Sequence, residues 1–105
     1  MYTRNVSMKL KTNSVAEFTR TLENDIIPVL RKQKGFQDEI TLVAPERHEA
    51  VAISFWDKKE DAEAYNREKY PEILKTLSKV VEGTPRVESF EVANSTSHRI
   101  AAKAA

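Results

Sequence analysis

Between Ala50 and Trp56 the chain reads Ala-Val-Ala-Ile-Ser-Phe-Trp, apolar at nearly every position. Side chains alternate across a strand, so Val51, Ile53 and Phe55 share one face while Ala52, Ser54 and Trp56 share the other. Strands that are buried on both faces read this way. Any fold for this chain must therefore cover both sides of its third strand.

The rest of the sequence supplies the surrounding elements. Arg4 to Lys11 alternates, with Val6, Met8 and Leu10 on one face and Asn5, Ser7 and Lys9 on the other, which is the period of a strand. Ser14 and Glu17 have the spacing of a capping box. Val15, Phe18, Leu22, Ile26 and Val29 then recur at threes and fours, as one stripe of a helix does. Pro28 removes a backbone donor inside that helix and predicts a kink near Asn24. Gly35 supplies a left-handed stop.

Phe36 to Ala44 reads as a second strand, followed by the polar turn Pro45 to Glu49 and the third strand. Asp57, with Glu60 three residues on, is the expected cap of a second helix carrying Ala62, Tyr65 and Tyr70. Pro71 restarts that helix, whose apolar stripe is Ile73, Leu74, Leu77, Val80 and Val81. Glu82-Gly83-Thr84-Pro85 is the expected stop, and Arg86 to Ala93 alternates as a fourth strand. Residues 1–94 thus form one domain. The tail, 95–105, is either frayed or a short docking helix capped by Ser97.

The order β-α-β-β-α-β defines an α+β, ferredoxin-like fold. It is a four-stranded antiparallel sheet with two helices on one face, because crossovers are right-handed. The other face is bare. Leaving one apolar set of the third strand wet forfeits about 1.5–3 kcal/mol for each large side chain. It also creates a patch of a size that monomers seldom carry. A second copy packed sheet to sheet resolves this, giving a homodimer through the open face. The competing arrangement is a monomer whose tail folds over that face.

Composition narrows the function classes. The 105 residues carry 17 basic and 16 acidic side chains, a net charge of +1, which is not the clustered basic excess of a nucleic-acid binder. There is no cysteine, hence no disulfide framework and no thiolate chemistry. The polar start, Met1 to Ser7, has no apolar signal core. The stretch Val51–Trp56 falls far short of the ~20 residues that span a bilayer. A cytoplasmic protein with no membrane or nucleic-acid partner is expected.

No strong catalytic motif is present: no Gly-rich phosphate loop, no HExxH and no GxSxG. His48 lies in the hairpin turn and His98 in the tail. Both read as surface residues, and together they give no metal site. Asp38, Glu39, Glu60, Asp61 and Glu63 read as solvated surface. The aromatics are more informative. Trp56 ends the third strand, and Tyr65 and Tyr70 sit on the helix that returns over the sheet. Their polar atoms need partners when buried, and Asn5 and Ser7 on the first strand are the expected ones. Asn5, Trp56, Tyr65 and Tyr70 are accordingly the candidate ligand pocket, suited to a small aromatic molecule. The alternative is that these side chains simply pack the core or the dimer seam.

Two joints carry a family resemblance. One is Ile26-Ile27-Pro28-Val29-Leu30-Arg31-Lys32-Gln33-Lys34-Gly35-Phe36, and the other is Ile53-Ser54-Phe55-Trp56-Asp57 running into Ala62-Glu63-Ala64-Tyr65. With the element order, they make residues 2–93 resemble the antibiotic biosynthesis monooxygenase (ABM) domain family of the dimeric α/β-barrel superfamily. The resemblance implies a barrel of two facing sheets and a pocket between sheet and helices in each protomer. It also implies chemistry without metal, haem or flavin, in which a deprotonated, electron-rich substrate reacts with oxygen directly. Trp56 matches the family's strand-end Trp. The haem-degrading branch uses an Asn, a Trp and a His, where this chain has Ser7, Ala64 and no histidine, so haem degradation is not implied. Two functional expectations follow: a cofactor-free monooxygenase on a small aromatic or polyketide-like molecule, or a non-catalytic small-molecule-binding or structural dimer module.

Overall fold

The computed structural model describes residues 1–98 and 100. The elements are β1 (Tyr2–Leu10), α1 (Val15–Thr21), a π-helical turn (Leu22–Ile26), α2 (Ile27–Arg31), β2 (Phe36–Ala44), a short 3-10 turn (Pro45–Arg47), β3 (Glu49–Trp56), α3 (Lys59–Glu68), α4 (Tyr70–Leu77) and β4 (Val81–Glu91). The strands form one four-stranded sheet in the order β2-β3-β1-β4, and every pairing is antiparallel. This is the α+β, ferredoxin-like arrangement that the sequence leads one to expect. Among the described residues no helix is long and apolar enough to cross a membrane.

Each of the two expected helices is built as two pieces. Around Asn24 the first widens into a π-turn, in which the Ile27 N–H reaches back to the Leu22 carbonyl. Pro28 then opens α2. A proline ring collides with the carbonyl four residues earlier, here Asn24, and one wider turn relieves that clash. Pro71 likewise sits in the first turn of α4. Gly35 is in the left-handed region, φ +79°, and a side chain there would run into the Asp61 carboxylate.

Several local expectations need correction. Ser14 makes no side-chain cap, because its hydroxyl turns back to the Thr12 carbonyl at 3.4 Å. Lys58, not Asp57, precedes α3, and Asp57 instead accepts a hydrogen bond from Gln37. Val80 and Val81 do not extend the helical stripe. They bury their side chains, and Val81 begins β4, which runs through Gly83 and Pro85. Those residues form an irregularity opposite Ser7–Lys9 rather than a helix stop. A proline is tolerated there because β4 is an edge strand. Thr96–His98 is a bend in which Ser95 Oγ accepts the N–H groups of Ser97 and His98. Residues 99 and 101–105, where a docking helix would run, lie outside the described residues.

Register assigns the sheet's two faces. Tyr2, Arg4, Val6 and Met8 stand opposite Trp56, Ser54, Ala52 and Ala50, on the side of the helices. There they meet Phe18, Leu22, Ile26, Leu30, Tyr65, Ile73 and Leu77 in a single core. Trp56 and Phe18 have no exposed surface at all. On the other side, Asn5 and Ser7 stand opposite Ile53 and Val51, and β2 adds Ile40 and Leu42. Ile40, Leu42 and Phe90 are each about half exposed there (49%, 52% and 50%). His98 covers one corner, lying on Phe55 with ring centroids 5.6 Å apart and pairing with Asp38. It is therefore a packed residue and not the free surface residue expected.

Candidate functional site

Between the sheet and the helices lies a cavity of about 40 Å³. Its walls are mainly apolar, with Val6, Met8, Leu22, Ile26, Leu30 and Leu77 among them, and a few polar groups converge on it: Arg4, Glu39, Ser54, Tyr65 and Tyr70. An apolar chamber with a few convergent polar groups is the usual form of a small-ligand site.

Three of the four expected pocket residues cluster here. Trp56 and Tyr65 stack with centroids 5.2 Å apart, and Tyr70 follows at 6.3 Å from Tyr65. Phe36 closes the far side of Trp56 edge-on at 5.5 Å. Tyr65 and Tyr70 line the cavity, whereas Trp56 backs the wall from inside the core. Asn5 is not brought to them. Strand alternation puts it on the opposite face of β1, paired with Ile53 and within 3.4 Å of the Thr3 hydroxyl. The Trp56 indole N–H finds its partner on its own strand, in Ser54 Oγ at 2.9 Å. Residues two apart in a strand share a face, so this bond needs no help from β1.

Arg4 takes the place that Asn5 was expected to fill. It is only 4% exposed. Its guanidinium lies 4.5 Å from the centre of the Tyr70 ring and 5.1 Å from that of Tyr65, and Nη2 donates to Asn66 Oδ1 at 2.8 Å. Cation–π contact offsets part of the cost of taking the charge out of water. Among the described residues no carboxylate forms an ion pair with it. Burial lowers the Arg4 pKa, against the raising influence of the two tyrosines. Burial also raises both tyrosines, Tyr65 to about 12, so each stays a neutral O–H at pH 7. Tyr70 Oη is buried, and among the described residues its hydroxyl hydrogen meets no acceptor.

Glu39 enters from β2. Its neighbours Ile40 and Leu42 take the outer face, so Glu39 and Thr41 turn toward the helices. The carboxylate accepts the Thr41 hydroxyl at 2.7 Å, and burial raises its pKa despite that bond. It is half-buried rather than solvated, and it lines both the cavity and an outer depression with Thr19, Glu23 and Arg31. Arg4 likewise lines the cavity and a second outer pocket of about 300 Å³, bounded by Tyr2, Glu63, Asn66, Val87 and Ser89. The chamber is thus lined by a cation that also faces one outer pocket and by a carboxylate that also faces another. No three His, Cys, Asp or Glu side chains come together as a metal site among the described residues.

Arg4 and Glu39 escaped the sequence reading, though both left a signal. Arg4 has the parity of Val6, Met8 and Leu10, and Glu39 that of Val43, so each is a charge on a face otherwise turned to the core.

The fold is shared with solved structures. The chain superposes on a monooxygenase from the gene ActVA-Orf6 of Streptomyces coelicolor, in complex with the ligand nanaomycin D. The TM-score is 0.77 at 11% identity, over 90% of this chain and 88% of that one. SnoaB, a cofactor-independent oxygenase from Streptomyces nogalater, matches with a TM-score of 0.75 at 15% identity, over 92% and 97%. A conserved protein from Methanosarcina mazei Go1 matches with a TM-score of 0.70 at 18% identity, over 85% and 89%. No protein-family model and no curated protein matches the sequence. The chain has the fold of the antibiotic biosynthesis monooxygenases, as its two joints lead one to expect.

Proposed function

We propose that this protein is a cofactor-independent monooxygenase of the ABM kind, acting on a small aromatic or polyketide-like phenol as a homodimer closed through the outer sheet face. The observation that carries the reading is a buried cation, Arg4, and a half-buried acid, Glu39, lining one apolar chamber. Oxygenation without a cofactor requires the substrate to be ionised in a dry site. Glu39 accepts the phenolic proton and returns it to solvent through the outer depression it also lines. Arg4 supplies the positive potential that holds the ionised substrate, and the neutral tyrosines donate hydrogen bonds. One oxygen atom enters the ring, and the other leaves as water with two hydrogens of the substrate.

The outer face supports the dimer, because Ile40, Leu42 and Phe90 stand half exposed beside Val51, Ile53 and Phe55. The second reading, a binding or structural dimer module without turnover, is favoured by the size of the cavity. About 40 Å³ is far below the ~300 Å³ at the low end of ligand sites. Oxygen uptake with a panel of dihydroxy-aromatics decides between them. The oxygenase reading expects uptake that falls at least ~10-fold in Glu39→Gln. No uptake across the panel selects the binding module.

A further inference from the structure

Among the described residues Arg4 is a charge without a counter-charge. A guanidinium has five N–H donors, and the hydrogen bond it makes to a side chain here is to the amide oxygen of Asn66. The tyrosines beneath it offer ring faces and stay neutral. Leaving a buried charge unpaired is costly, and folding alone does not explain it, since an apolar residue with the parity of Val6 and Met8 would pack there. The second is the Tyr70 hydroxyl, whose hydrogen meets no acceptor among the described residues, on a residue that is only 8% exposed and lines the same chamber. Two donor groups short of acceptors meet at one point.

Position adds a third observation. Arg4 and Asn66 both bound the outer pocket of about 300 Å³, and Arg4 also bounds the inner chamber. The Arg4–Asn66 bond therefore stands at the mouth between them. The amide oxygen is a neutral acceptor on a planar group, and a carboxylate is a stronger acceptor of similar shape that takes two parallel bonds from arginine.

From this juxtaposition we propose that the site binds an aryl carboxylate, which enters through the outer pocket, displaces Asn66 from Arg4 and accepts the Tyr70 hydroxyl. This deepens the reading of the chamber as the ligand site and rests on it: the substrate class becomes hydroxyaryl carboxylates rather than uncharged phenols. Displacing Asn66 joins the outer pocket of about 300 Å³ to the inner chamber and gives the ring the room that 40 Å³ alone lacks, while the carboxylate fixes its orientation and leaves the phenolic proton to Glu39.

The test is calorimetric binding to the intact protein of benzoate against its neutral isostere benzamide. Benzoate binds at least ~10-fold tighter, and Arg4→Gln abolishes that preference. Tyr70→Phe weakens benzoate about 3–10-fold and benzamide by less, because a charged acceptor gains more from the hydroxyl than a neutral one. Equal affinity for the two compounds, or a preference that survives Arg4→Gln, overturns the proposal. Should Arg4→Gln not fold, Tyr70→Phe decides alone, and unchanged benzoate affinity overturns it. Binding is read without turnover. A protein that prefers benzoate but consumes no oxygen with hydroxybenzoates keeps the anion site and loses the oxygenase reading. One that oxidises phenols while ignoring benzoate does the reverse.

Discussion

The two faces of the sheet break the inside-outside rule in opposite directions. The helix-covered face buries Arg4, Ser54 and Tyr70 among apolar neighbours, while the other face exposes Ile40, Leu42 and Phe90 beside Thr3, Asn5 and Ser7. Buried polar groups and exposed apolar ones are the informative exceptions in any protein. Here the two kinds divide largely between the sides of the same four strands, with Thr3 buried on the outer face and Val87 partly exposed on the helix side as the exceptions. The polar exceptions surround a chamber, as ligand groups would. The apolar exceptions form a surface, as a subunit contact would.

The largest test of this contrast is Trp56→Ala against Phe90→Ala. The first removes a fully buried indole and should cost about 3–5 kcal/mol in chemical denaturation. The second should cost the isolated subunit under about 0.5 kcal/mol. Equal losses would mean that the outer face is already a core in the monomer. Next comes Leu42→Asp, a charge placed on the outer face. Light scattering at micromolar concentration should move from a dimer to a 12.0 kDa particle. An unchanged mass would assign the contact elsewhere.

A third test sharpens the inner side. Burial raises Tyr65 from 10.0 to about 12, so the native state holds its proton more tightly than the unfolded chain does. That stability is complete below pH 10 and drains away as pH rises toward 12, by about 2 kcal/mol. Tyr65→Phe should remove this part of the pH slope, measured as the difference between the two denaturation profiles. The smallest effect is expected from Tyr70→Phe in the ligand-free protein. Deleting a hydroxyl whose hydrogen meets no acceptor among the described residues should raise stability by about 1 kcal/mol, seen as a higher melting temperature. A loss instead would show that the hydroxyl has an acceptor in solution.

What was legible in the sequence follows from how periodic each feature is. The strands, their faces and the sites of both helix breaks came from alternation, three-four spacing and proline, which act locally. The caps did not. Ser14 and Asp57 have the right spacing, yet their oxygens found other partners once the chain folded. The placement of Asn5 shows the limit more sharply. Its neighbour Arg4 differs by one position and faces the other way, so parity decides the site where residue type alone does not. Gly83 and Pro85 read as a stop because nothing local says that an edge strand will absorb them.

The π-turn has a consequence for how such a chamber changes over generations. Leu22 and Ile26, its two ends, both line the cavity between sheet and helices. A wide turn holds one residue more than a regular spiral needs. Loss of a single codon among Glu23, Asn24 and Asp25, together with replacement of Pro28, would draw the helix back to ordinary pitch and reshape that wall while every strand kept its register. The molecule thus carries, beside its chamber, a place where volume can be traded in steps of one amino acid.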